Sequence, residues 1–328
     1  MPGLAGAMSK SGRIVLMAVL VAVCPMSTAQ TPLYPAKPIR IVVASSPGGG
    51  LDIVARGVGQ QLTAAWGQGV VIDNRAGASG TIAAELVARA VPDGYTLLIV
   101  SASYAVNPSV YPKLPYDSIR DFAPITQATV QAQVLAVHPS VAARSLKDLV
   151  ALAKAAPSRL NYSSPGDGSL SQLAFELFKG TAGVDIHHIP YKGAGLSTTA
   201  LASGEVQVSS ASAVSMLPHV KSGRIRPLAS TGTRRAPALP DLPTMAEQGY
   251  PGATISGWYA FFAPARTPRP IIDRLNAELT RILQSPQMRD QLAREGSEPV
   301  AGTPEQLAQH LATEIARLGK IVKAARGK

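Results

Sequence analysis

Residues 39–56, IRIVVASSPGGGLDIVAR, constrain the fold of this chain more than any other stretch. Ile39, Ile41, Val42 and Val43 form the β-branched run of a buried strand, and Pro47 with Gly48, Gly49 and Gly50 cannot continue it. Asp52 then precedes Ile53, Val54, Val58 and Leu62, about one helical turn apart, which predicts a helix with one buried face. Glycines let a ligand approach the main chain closely, and the N–H groups that open a helix have no acceptor within it, so such a corner favours an anion. Neither G-x-G-x-x-G nor G-x-x-x-x-G-K-[ST] occurs here. A purely structural tight turn is the competing reading.

The alternation continues. A strand at 69–73, a turn at Gly77 to Gly80, a helix at 81–90 and a strand at 95–100 predict a parallel sheet with helices on both faces. Ser101, Ser103 and Asn107 follow the third strand, at the carboxyl edge where open α/β sheets bind ligands; as helix caps or turn residues they would have no such role. Residues 108–122 read as a loop and 123–137 as a long extended crossover between lobes. Ser145 then caps a helix at 146–155, with Asp148 as its capping-box partner.

A second series follows. The strand at 160–163 leads into Ser164, Pro165, Gly166, Asp167, Gly168 and Ser169, and a helix at 169–179 ends near Gly180. This corner repeats the logic of the first, and two such corners facing each other would hold both ends of a small dianion. A strand at 186–190 leads to Tyr191, Lys192 and Gly193 and a short helix closing at Gly204. The strand at 206–209 runs into Ser209, Ser210, Ser212 and Ser215, a helix ends at Gly223, and a strand spans 225–230. Residues 255–264 return the chain to the first lobe. Thr267, Ser285 and Thr303 each stand before a proline as predicted helix caps, and the last helix aligns Leu307, Leu311, Ile315, Leu318 and Val322 on one face.

The N-terminus is set apart. Lys10 and Arg13 precede ten apolar residues, 14–23, and Ser27-Thr28-Ala29 offers a peptidase site, which predicts an export signal cleaved after Ala29 and a soluble mature chain. Cys24, the only cysteine, falls before that cut, so the mature chain would hold no thiol, disulfide or cysteine metal site. Without Lys10 and Arg13, 29 basic residues face 20 acidic ones, a net charge of +9 that attracts anions weakly. The basic residues are scattered, with Arg234-Arg235 the only adjacent pair, which excludes a nucleic-acid surface. His187-His188, on opposite faces of a strand, cannot easily chelate one metal ion. No cofactor fingerprint is present, so binding without chemistry is the economical reading. A secreted serine esterase, with Ser164 or Ser169 as nucleophile and His138, His187 or His219 as base, is the enzymatic alternative.

PGGGLD at 47–52, NRAGASG at 74–80, PDGYTLL at 92–98, DFAPI at 121–125, SSPGDGS at 163–169, IPYKGAG at 189–195, LPHVKSGRIRPLA at 217–229 and LPDLPTMAEQGYPG at 239–252 are collinear. Together they resemble the Bug/TctC family, the extracytoplasmic solute receptors of tripartite tricarboxylate transporters. The resemblance implies a two-lobed α/β periplasmic-binding-protein fold of the type II, Venus-flytrap kind, each lobe a mostly parallel sheet flanked by helices. Lobe I would be 30–131 plus 256–328 and lobe II 132–255. It implies a periplasmic monomer that binds a small carboxylate between the lobes, through main-chain N–H groups, hydroxyls and water rather than an arginine clamp. Its partners would be the membrane subunits of a transporter or, alternatively, a membrane sensor. Carried over by position, the ligand-binding residues are Pro47, Gly48, Gly49, Asp52, Ser101, Ser103, Ser164, Gly166, Gly168 and Ser169, with Ser46, Gly193 and Ser210 from adjoining turns. Gln172, Ser210-Ala211 and Leu318 stand where relatives often carry histidine, phenylalanine-aspartate and tryptophan.

Overall fold

The computed structural model describes residues 34–326 apart from Glu295. The predicted export segment, 1–29, with Cys24, lies outside them. Strand β1 (Ile39–Val43) forms where the β-branched run predicted it and pairs in parallel with β2 (Val70–Asn74) on one side and β3 (Thr96–Ser101) on the other. Helix α1 (Gly50–Trp66) buries Leu51, Val54, Val58 and Leu62 against this sheet. It begins two residues before Asp52, because Gly49 in an extended conformation is its cap. Helix α2 (Thr81–Ala88) completes the crossover to β3. A helix that the sequence reading missed, α3 (Ser103–Val110), follows; Pro108 lies inside it and the helix ends two residues later.

The 16-residue strand β4 (Phe122–Val137) joins two sheets. From Phe122 to Ala132 it pairs antiparallel with β9 (Ser256–Pro264), which also lies antiparallel to β3. From Gln133 onward it pairs instead with β7 (Val208–Ser212) and β8 (Arg226–Ser230), again antiparallel. The second sheet repeats the first: central β5 (Asn161–Ser164) lies parallel to β6 (His187–Pro190) and β7, as β1 does to β2 and β3. Each sheet is therefore mixed, its βαβ crossovers giving the parallel pairs and the linking strands β4 and β9 the antiparallel ones.

In the second lobe α4 (Leu146–Ala155) forms as predicted, with Asp148 N–H donating to Ser145 Oγ at 3.1 Å. Helix α5 (Leu170–Ala182) runs past Gly180 and stops at Gly183, whose φ of 63° lets its N–H reach the Lys179 carbonyl. Helices α6 (Ala194–Ser203) and α7 (Ala213–Lys221) cover the sheet's other strands. Of the later helices, α8 (Arg269–Leu283) is capped by Pro268, while Thr267 Oγ1 donates to the Pro264 carbonyl instead of capping. Ser285 and Thr303 do cap α9 (Pro286–Arg294) and α10 (Pro304–Arg326), accepting from Met288 N and Gln306 N. Helix α10 buries Leu307, Leu311, Leu318 and Val322. No helix among the described residues is long and apolar enough to cross a membrane.

Candidate functional site

Because β1 and β5 hold equivalent places, the loops that leave them are equivalent corners, and both carry an internal pin four residues beyond a glycine. In the first, Gly48 takes φ 78° and donates its N–H to Asp52 Oδ2 at 2.9 Å. In the second, Gly168 takes φ 73° and donates its N–H to Gln172 Oε1 at 2.7 Å. Asp52, 3% exposed, also accepts from Arg56 Nε at 2.9 Å and Asn74 Nδ2 at 3.0 Å. Burial alone would raise its pKa, but the hydrogen bonds from Arg56, Gly48 and Asn74 outweigh that and hold the carboxyl below the usual carboxylate range. The N–H groups of both corner glycines are thus occupied within their own loops.

Each helix that leaves a corner is met by a hydroxyl from the other lobe. Gly50 N–H, opening α1, donates to Ser215 Oγ of α7 at 3.3 Å, and Leu170 N–H, opening α5, donates to Ser103 Oγ of α3 at 3.0 Å. Tyr111 OH adds a bond to the Asp167 carbonyl at 3.2 Å, and Ser79 Oγ donates to the same oxygen. The lobes are in contact.

Between them lies a cavity with about 680 Å³ of empty space, part of it continuous with solvent. Of the predicted ligand residues, Gly49, Ser101, Ser103, Ser169 and Gly193 line it. Ser46, Pro47 and Gly48 do not; the pin on Asp52 turns them toward an outer groove shared with Thr198 and His219. Asp52, Ser164, Gly166, Gly168 and Ser210 also lie off the cavity. Gly166 and Gly168 shape the loop: a Cβ on either would come within 3.1 Å of the Tyr191 carbonyl or 3.0 Å of Val110. Ser210 is 1% exposed and its hydroxyl has no partner among the described residues.

The sequence reading missed Ser79, Gln131, Gln133, Ser171 and Lys192, all of which line the cavity. Gln131 and Gln133 were legible in principle: with Thr129 they fall at alternate positions of one strand, hence on one face, in an otherwise apolar run. Among the described residues, Lys192, which is exposed, is the only basic side chain on the wall, and no aspartate or glutamate lines it. The second N–H of each opening helix, at Leu51 and Ser171, has no acceptor within its helix, and both residues line this wall.

The hydrolase alternative has a concrete geometry, with a histidine outside the expected three. Ser164 Oγ lies 2.7 Å from His188 Nε2, and His188 Nδ1 lies 3.5 Å from Asp167 Oδ1 and 3.2 Å from Gln172 Nε2. Yet Ser164 is fully buried, off the cavity, and its hydroxyl also accepts Gly166 N–H at 3.2 Å. The arrangement fastens the second corner to β6. Among the described residues no group of histidine, cysteine and carboxylate side chains is arranged to hold a metal ion.

Burial lowers the His188 pKa below its ordinary value, against the opposing pull of Asp167, and burial lowers those of His219 and His310 too. The unfolded chain therefore takes up protons first, so this stability is present above about pH 6.5 and is lost as pH falls toward the folded-state values. A lower Tm at pH 5.5 than at 7.5 is expected, by about 2–4 °C per kcal/mol lost, with a smaller difference in His188→Gln. Differential scanning calorimetry checks this; an unchanged Tm across the interval contradicts it.

The sequence model of a family described as the tripartite tricarboxylate transporter family receptor matches residues 54–326. The chain is similar to the protein BugT of Bordetella pertussis, with 38% identity over 292 residues, spanning 88% of this chain and 90% of BugT. A solved R. palustris protein with adipate shares 37% identity at a TM-score of 0.87, covering 89% of this chain and 98% of that one. MatC from Rhodopseudomonas palustris, with bound malate, shares 31% identity at a TM-score of 0.84, covering 88% of this chain and 100% of MatC. The common architecture is the two-lobed α/β fold of periplasmic binding proteins.

Proposed function

Since this chain belongs to the tripartite tricarboxylate transporter family receptors, we propose that it is a periplasmic receptor that closes its lobes on one small carboxylate and delivers it to membrane subunits of such a transporter. The observation that carries this reading is the chemistry of the cavity wall: hydroxyls, carboxamides, opening helix N–H groups and Lys192, with no acidic side chain among the described residues. Such a wall offers hydrogen bonds to an anion and repels none. Adipate and malate, present in the two similar structures, are both dicarboxylates. The lobes would be 30–131 with 256–328, and 132–255, moving about the point where β4 changes partners between Ala132 and Gln133. The receptor acts as a monomer after loss of residues 1–29.

A thermal-shift panel of mono-, di- and tricarboxylates and acidic amino acids tests this. At a hundred times its dissociation constant, the true ligand stabilises the fold by about 2.7 kcal/mol. A panel in which no carboxylate raises the Tm, together with turnover of a generic ester that is lost in Ser164→Ala, would overturn the reading in favour of a hydrolase.

A further inference from the structure

We propose that Gln131 and Gln133 form the docking pair for the second carboxylate of a dicarboxylate ligand, a specificity element that rests on the receptor reading above. Both residues are 4% exposed and line the cavity. Their oxygens are already engaged: Thr129 Oγ1 donates to Gln131 Oε1 at 2.8 Å, and Ser171 Oγ donates to Gln133 Oε1 at 2.6 Å. These bonds fix the amide orientation and leave both NH2 groups as donors, with no hydrogen bond from either to a described residue.

The two nitrogens converge. Over Gly257, which lines the same cavity, an added Cβ would lie 2.5 Å from Gln133 Nε2 and 3.4 Å from Gln131 Nε2. Two amide donors gathered over a bare Cα form a cradle with no acceptor among the described residues. A carboxylate, with two oxygens and about four lone-pair sites, satisfies both at once. The first carboxylate is left to the opening N–H groups of α1 and α5, at Leu51 and Ser171.

The pair also couples occupancy to closure. The pair straddles the hinge, for Gln131 and Gly257, on the paired strands β4 and β9, belong to the first lobe, and Gln133, bonded to Ser171 of α5, belongs to the second. A ligand that reaches the pair therefore favours the closed arrangement over any open one.

Isothermal titration of succinate, glutarate and adipate, each against the monocarboxylate of equal length (butyrate, pentanoate, hexanoate), tests the proposal on wild type, Gln131→Met, Gln133→Met and Gly257→Ala. Wild type is expected to prefer its best dicarboxylate by about 100-fold or more. Each Gln→Met variant is expected to lose about 10–100-fold for that dicarboxylate and to stay within about twofold for the monocarboxylate. Gly257→Ala keeps both amides and the site's charge, so a similar selective loss there separates a displaced cradle from a misfolded glutamine variant. Equal losses for both ligand kinds, no loss for the dicarboxylate, or a wild type that prefers neither kind, each overturn the proposal. If wild type binds none of the six acids, this proposal falls, while the receptor reading is decided by the wider carboxylate panel above.

Discussion

Gly193→Ala removes most of the ligand-induced stabilisation while leaving a folded protein. Gly193 caps α6 at φ 121°, where an L side chain is strained by about 1–2 kcal/mol. Its added Cβ would overlap the Ser46 hydroxyl and approach the Ser46 Cβ and N to 3.3 Å each. Ser46 belongs to the corner after β1 and Gly193 to the second lobe, so the overlap exists only when the lobes meet. The substitution acts as a wedge in the closed state and leaves the core of each sheet untouched. A penalty of about 2.7 kcal/mol on closure raises the apparent Kd about 100-fold, so that at a hundred times the wild-type Kd only about 0.4 kcal/mol of stabilisation is left. Adding Ser46→Gly to the same variant relieves the overlap and is expected to restore part of the binding. Thermal shift and small-angle scattering with and without ligand read both effects; wild-type affinity in Gly193→Ala contradicts the wedge.

Asp52→Ala gives the largest expected loss of stability. It strands the Gly48 N–H, the Asn74 amide and the Arg56 guanidinium together, and one partner removed from a buried charged network costs about 3 kcal/mol or more. The corresponding fall in Tm is about 6–12 °C. The sign with pH is the same as for the histidines, but the range lies lower. Because the folded-state pKa of Asp52 is depressed, its contribution is present above the unfolded value near 3.9 and is lost as pH falls through the folded value. The gap between wild type and Asp52→Ala, followed by urea unfolding, should persist from pH 8 to 5 and close only in strong acid. A variant as stable as wild type at pH 7 would make the corner's pin ornamental.

The two corners were legible because strand, glycine turn and amphipathic helix are local patterns, and the structure sets both at equivalent carboxyl ends. What the local pattern could not tell is which amides remain free. Gly48 and Gly168 were expected to face a ligand, yet their N–H groups are taken by Asp52 and Gln172, each one helical turn on. Gln172 is instructive: in the sequence it is only a departure from the histidine that relatives often carry, whereas in the fold it matches Asp52. Helix α3 was hidden by Pro108, whose reputation as a breaker outweighed a helix short enough to end just after it. Gln131, Gln133 and Lys192 escaped notice for a different reason. Their role depends on which strands β4 joins and how the second lobe folds over it, and long-range pairing leaves little trace in a local window. The Ser164–His188 pair is likewise a contact between neighbouring strands, 24 residues apart in sequence.

The account places the anion among neutral donors of both lobes, with one exposed lysine at the wall. A crystal structure of residues 30–328 with its tightest-binding dicarboxylate is the most direct test. One carboxylate should accept from the opening N–H groups of α1 and α5 and the other from Gln131 and Gln133, all at 2.7–3.2 Å. An acid held by Lys192 alone, gripped by an arginine, or seated in the outer groove beside His219 would contradict it.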